Sequence, residues 1–580
     1  MSAAKYLLLG LLACSKSDEP RRVPVPVPSA PDAATKPADD RYADDALGAL
    51  TFEHSEGTPE ARAHFTRGLL ALHSFWYDEA IRQFQQAITA DREMNLAYWG
   101  LAMSHLKLLW GEDDLTAARL ALSKMPNPDR LSPREQAWVM AAVELVKAGD
   151  VRTSRKRFAE SLTTLHTLFP DDEAKTFLAL ALLSTTRPED PDTLDVRKRA
   201  AALAAEVYAR NPKHPGAAHY IIHAYDTPEL ASLALPHARA YANLAPAAFH
   251  ARHMPAHIFS RLGMWSDAIA SCHAAWDASL GSARREKLSA NHHDFHSLGW
   301  LIEMYFERGQ RKQATAMLAT FANAVDAGLG RQHRALYATE VASFMMRTGD
   351  WARVDELLAP LAKPPVDEPI PAGAAGSGAN RAGEPSHCAP GTASPLELVE
   401  QLAVLDARAR AAAMQHDATK TRTLLAETDA LRIKLRPSLA ATQPKEALAR
   451  IDASHARHRQ VLLAHATTND RALLPLLRAQ AAEAQLEVGG ESNPSGFLAH
   501  DDTGDTLLRL GKPADALAAY QRALNTHPGR ARSLLGAARA ATKAGDAKTA
   551  RAMYEQLVNQ WAAADPDTDG LAEARAALAN

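Results

Sequence analysis

The chain has 580 residues, with 65 Lys+Arg against 68 Asp+Glu and a formal net charge of −3. That balance excludes a protein whose main task is coating nucleic acid, since phosphate binding needs a basic excess. Hydrophobic residues make up 47%, charged residues 23% and aromatics only 6%, and the chain is rich in Ala, Leu, Arg and Glu while β-branched residues are sparse, so an all-β fold is excluded too.

At the start, a short cationic head (Met1-Ser-Ala-Ala-Lys5) precedes the apolar run Tyr6–Leu12 and then Ala13-Cys14-Ser15. Residues 1–14 resemble a bacterial lipoprotein signal with Cys14 as the lipidation site; an ordinary secretory leader is the alternative. The apolar run is far short of the roughly 20 residues that span a bilayer. Residues 15–45, with Val23-Pro-Val-Pro-Val-Pro28, predict a disordered tether. The expected location is the bacterial cell envelope, periplasmic or outer surface, with the membrane contacted through the lipid alone.

Internal self-similarity follows. In 61–94, Gly68, Ala80, Phe84 and Ala87 fall where a 34-residue helix-turn-helix unit needs small or aromatic residues. The frame recurs at 249–282 (Ala256, Gly263, Ala268, Cys272, Ala275), at 497–530 (Gly504, Ala516, Tyr520, Ala523, Pro528) and at 531–564 (Ala538, Ala550, Tyr554). Gly349 and Gly545 stand between helical patterns, as do Gly149, Gly263, Gly309 and Gly511. These units resemble tetratricopeptide repeats (TPR), which implies an all-α right-handed superhelix, a solenoid of TPR-like helix-turn-helix repeats. The expected divisions are a 46–362 N-terminal array with a His-rich concave face, a 363–395 Pro/Gly/Ala-rich linker containing Cys388, and a 396–580 C-terminal helical/TPR region.

Eleven of the 24 histidines lie between 214 and 296, roughly threefold an even spread. His219 and His223 are four apart, as are His253 and His257, so each pair shares one helix face. The pairs are offset by 34 residues, which predicts His219 beside His253 and His223 beside His257 on neighbouring first helices. His293 and His296 begin a third such helix, and Met254-Pro255 predicts that His253 stands at a helix start. His219, His223, His253, His257, His293 and His296 are therefore candidate ligands for a transition metal (Zn, Cu, Fe or Ni), with Asp226, Asp294 or Glu303 as acidic partners. Cys272 falls in the packing frame. A polar groove lined by the same histidines is the competing reading.

The blocks Ala218-His-Tyr-Ile-Ile-His-Ala224, His253-Met-Pro-Ala-His-Ile258 and His293-Asp-Phe-His296 resemble the signature of a family of bacterial TPR proteins. Gly68 to Gly100 and Arg530 to Ala538 are also similar to it. The resemblance implies the repeat architecture and points at the same histidines; it implies no activity.

No His-Glu-x-x-His, phosphate-binding Gly-x-x-x-x-Gly-Lys-Ser/Thr or Gly-x-Ser-x-Gly motif occurs. Trp76-Tyr77 and Tyr98-Trp99 read as core, and Arg152–Arg157 as a solvated helix face. With no complete catalytic set visible, the leading expectation is a lipid-anchored TPR scaffold whose concave surface binds a protein or peptide, more a scaffold than an enzyme. The alternative is a metalloprotein, redox or hydrolytic, centred on the three histidine-bearing helices.

Overall fold

The computed structural model describes residues 47–579 except 111–112, 148, 188–189, 367–393, 443–444 and 486–497. The signal segment 1–14 with Cys14, the tether 15–45, and Cys388 with most of the 363–395 linker lie outside the described residues. Among the described residues there are 25 α-helices and no strand. Each helix packs chiefly on the next, the connectivity of a helical-repeat solenoid. None of these helices is long and apolar enough to cross a membrane.

The small residues of the repeat frame have a steric cause. Fully buried Phe84 lies between Gly68 and Gly100, where an added Cβ would stand 2.9 Å and 2.2 Å from its ring. The C-terminal repeats copy the device, with Tyr520 between Gly504 and Gly536 at 2.5 Å and 2.4 Å. An alanine at these glycines would push the paired helices apart. Gly349 (φ 73°) and Gly545 (φ 78°) end their helices in the left-handed conformation that an L side chain resists.

Six helices frame the site: α1 (Pro59–His73), α2 (Asp172–Thr185), α3 (Pro215–Tyr225), α4 (Phe249–Arg261), α5 (Phe295–Glu307) and α6 (Ala531–Ala544). Helix α4 starts earlier than Met254-Pro255 suggested, so His253 lies inside the helix and Pro255 is an internal proline. Pro255 forfeits one backbone bond there, and the burial of nearly the whole of α4 offsets that loss.

The array is continuous on both sides of the linker. Helix Pro395–Met414 packs on Arg331–Thr348, and the buried Arg334 Nε donates to Glu400 Oε1 at 2.7 Å. The last repeats then return to the middle of the chain. Glu307, at the end of α5, accepts from the backbone N–H of Ala531 at the start of α6 (2.6 Å). Its carbonyl accepts from Gln560 Nε2 (2.6 Å). Trp265 Nε1 donates to the Gly529 carbonyl (2.8 Å), and Arg261 Nη1 donates to His527 Nε2 (3.1 Å). The C-terminal ends of α4 and α5 are thus clamped by residues more than two hundred positions away.

Candidate metal centre

Three groups of possible ligands assemble where α1 to α5 meet: His219, His223 and His250; His253, His257 and His296; and His73, Glu173 and His214. Within each group one ligand atom per residue lies within 4.8 Å of the others. Their internal hydrogen bonds separate them into two kinds.

The third group is already satisfied. Glu173 on α2 accepts from His73 Nε2 and His214 Nε2, both at 2.8 Å. The remaining His73 nitrogen faces the Tyr220 hydroxyl (3.0 Å), and His214 Nδ1 caps α3 by accepting from Ala217 N (3.2 Å). Burial alone would raise the Glu173 pKa, but His214 and His73 outweigh it and hold the carboxyl down to about 2. Every ring nitrogen here is engaged, as expected of a structural network. It positions the neighbouring triad: the His73 carbonyl accepts from His219 Nδ1 at 2.7 Å. Gly216 permits the approach, since a Cβ there would stand 2.4 Å from His73 Nδ1.

In the first triad, that bond to a carbonyl fixes the His219 proton on Nδ1 and leaves a bare Nε2. His219 Nε2 and His223 Nε2 are buried with no hydrogen-bond partner among the described residues. Burial drives the His219 pKa down to about 3, and burial with neighbouring imidazoles lowers His223 and His250 well below the usual value. The rings are neutral at pH 7 and able to ligate. Phe75 packs on His219 (4.4 Å between ring centroids) and stacks on His250 (5.5 Å), held at φ 52°. A bulky residue in that region is strained, and the fold spends the strain on lining the triad.

The second triad has carboxylates behind it. His257 Nδ1 donates to Asp226 Oδ2 (3.0 Å), and Arg261 Nε holds the other oxygen (2.9 Å). Burial opposes ionisation of Asp226, yet Arg261 and then His257 keep its pKa below the usual carboxylate range. His253 Nδ1 lies 2.9 Å from Ser297 Oγ, which is hydrogen-bonded to Asp294 Oδ2. The two Nε2 atoms of His253 and His257 face each other at 3.1 Å. A tetrahedral ion with bonds of about 2.0–2.1 Å would set such nitrogens about 3.3 Å apart. Burial raises the Asp294 pKa, and the Ser297 hydroxyl donates to Asp294 Oδ2. With its one proton committed to Asp294, Ser297 Oγ accepts from His253 Nδ1, which leaves His253 Nε2 bare. Trp300 covers the triad from α5, its ring 4.6 Å from that of His257.

Of the residues expected from sequence, His219 and His223 come together in one triad, and His253, His257 and His296 in the other. The 34-residue pairing of His219 with His253 is not what forms; His250 lies between, its ring 5.1 Å from His219 and 6.4 Å from His253. His293 lies outside both triads, against Trp276 (5.7 Å) and Phe295. Asp226 and Asp294 take the acidic positions, whereas Glu303 is bound by Arg347 (2.7 Å) and Ser343. Cys272 is buried with its thiol pKa pushed up, a packing residue 3.7 Å from His253 Nδ1. His250 was legible and missed, because His250, His253 and His257 follow i, i+3, i+7 spacing on one face of α4.

Tetratricopeptide repeat models match residues 61–94 and 502–567. A search of curated proteins finds no significant match. Among the 84 solved chains that match is one described as "Structure of Naa15/Naa10 bound to HypK-THB". It is 11% identical, covering 90% of this chain and 91% of that one at a TM-score of 0.24, too distant an overlay to carry an argument. The chain is thus an all-helical solenoid carrying tetratricopeptide repeats near both ends, the kind of framework used for protein–protein interaction.

Proposed function

We propose that this chain is a metalloprotein built on a tetratricopeptide-repeat scaffold, with its centre where α3, α4 and α5 meet. The observation that carries the reading is the pair of buried Nε2 atoms, 3.1 Å apart, on His253 and His257, with His296 completing the triad. The His257 Nδ1 proton is committed to Asp226, the carboxylate–histidine arrangement that orients metal-binding imidazoles. Imidazole-only donor sets suit zinc, copper, iron and nickel. Elemental analysis of the untagged full chain tests the reading: stoichiometric transition metal that falls in His257→Ala supports it, and metal-free protein that takes up none on incubation refutes it.

A second role is compatible with the first and is supported by the repeat matches near both ends of the chain. Stacked helix pairs offer a concave surface to a protein or peptide partner, and lipidation at Cys14 would hold that surface at a bacterial envelope membrane. Cys14→Ala tests the anchor: release from the membrane fraction supports it, and unchanged membrane association refutes it.

A further inference from the structure

Both triads have the same construction. Each takes two histidines four apart on one helix and a third from the next histidine-bearing helix: His219 and His223 on α3 with His250 on α4, then His253 and His257 on α4 with His296 on α5. His250 and His253 are three residues apart on α4, so both triads use neighbouring positions on one helix face. Two ions bound here would lie within about one helical turn of each other.

The charge in the surroundings limits which ions fit. No carboxylate or thiolate belongs to either triad, and the first is enclosed by Phe75 and the Tyr241 ring stacked 5.1 Å from His219. Behind the triads, Asp226 is already balanced by Arg261 at 2.9 Å, and Arg197 adds a cation where its Nη1 donates to the His223 carbonyl at 2.7 Å. Asp294 stands behind Ser297 at the second triad, outside the ligand set. Two divalent ions would bring four positive charges into this buried volume, against an unfavourable Born energy. Zinc would also require a fourth ligand at each triad, which a water would have to supply in this buried volume, and ferrous iron generally takes a carboxylate. Cuprous copper carries one charge and is satisfied by three neutral nitrogens, and imidazole is a ligand that suits copper.

We propose that the two triads form a paired copper site that takes up two Cu(I) ions, one on His219, His223 and His250 and one on His253, His257 and His296. This rests on the metalloprotein reading above and adds the stoichiometry and the metal. The network of His73, Glu173 and His214 is not a third site, because its ring nitrogens are committed to Glu173, Tyr220 and Ala217, whereas His253 and His257 turn their Nε2 atoms toward each other.

The test is an anaerobic titration of the untagged, chelator-stripped full chain with Cu(I) against a chromophoric Cu(I) chelator, repeated with Zn(II) in excess. The expected result is two equivalents of Cu(I) withdrawn per chain, unaffected by Zn(II). His223→Gln and His257→Gln are each expected to leave one equivalent, and His214→Gln to leave two. A single equivalent in the unmutated chain overturns the pair while leaving the metalloprotein reading standing. Displacement of Cu(I) by Zn(II) overturns the copper assignment. Uptake of neither metal overturns both readings, and the unmutated chain decides this without depending on whether a variant folds.

Discussion

Acidification should open the metal-free protein from its centre. His219 has its pKa lowered from 6.5 to about 3 by burial, and His223, His250 and His253 are lowered for the same first reason. Unfolding releases these rings to water, where they bind protons below about pH 6.5. Between about pH 6.5 and about pH 3 the unfolded chain therefore holds more protons than the folded one, and stability falls as pH falls. The contribution is complete above the unfolded value. For His219 alone the loss is roughly 1.4 kcal/mol per pH unit, up to about 5 kcal/mol in total. The other three add in the same direction, so a drop to about pH 5.5 removes a sizeable share of an ordinary domain stability of about 5–15 kcal/mol. Urea denaturation with chelator present, followed by far-ultraviolet circular dichroism, is expected to show a midpoint lower at about pH 5.5 than at about pH 7.5. His219→Gln should flatten that dependence by one histidine's share. A midpoint that is unchanged or rises on acidification would refute the placement of neutral imidazoles in a closed interior.

Other expectations concern single contacts. Asp226→Asn removes the charge shared by His257 and Arg261, and should weaken metal binding by about 10–100-fold in a competition titration. It should also cost about 3–5 kcal/mol in denaturation, as a buried arginine loses its partner. Gly216→Ala places a methyl 2.4 Å from His73 Nδ1 and should destabilise by about 1–3 kcal/mol; an unchanged midpoint would contradict the close approach. His293→Ala should leave metal content unchanged, since that ring packs on Trp276 and Phe295.

The repeat fold was legible because the steric cause is local. Glycines flanking an aromatic at fixed spacing, as around Phe84 and Tyr520, show in the sequence what they do in space. The paired histidines were legible for the same reason, four residues being one helical turn. The grouping was not. A 34-residue offset gives equivalent positions on successive first helices, but it does not give the translation between them. That translation brings His250 between the pairs and makes two triads where one centre was expected. The Glu173 network could not be read either, since His73 and His214 reach it from 100 and 41 residues away. The clamp of Glu307 on Ala531 spans 224 residues and likewise carries no local signature.

The central claim is that neutral imidazoles on α3, α4 and α5 converge to hold metal, and anomalous diffraction at the copper edge from crystals soaked in Cu(I) tests it most directly. The account predicts two peaks per chain, each about 2.0–2.2 Å from three histidine nitrogens, one in each triad. Crystals in which both triads stay without a peak would contradict it.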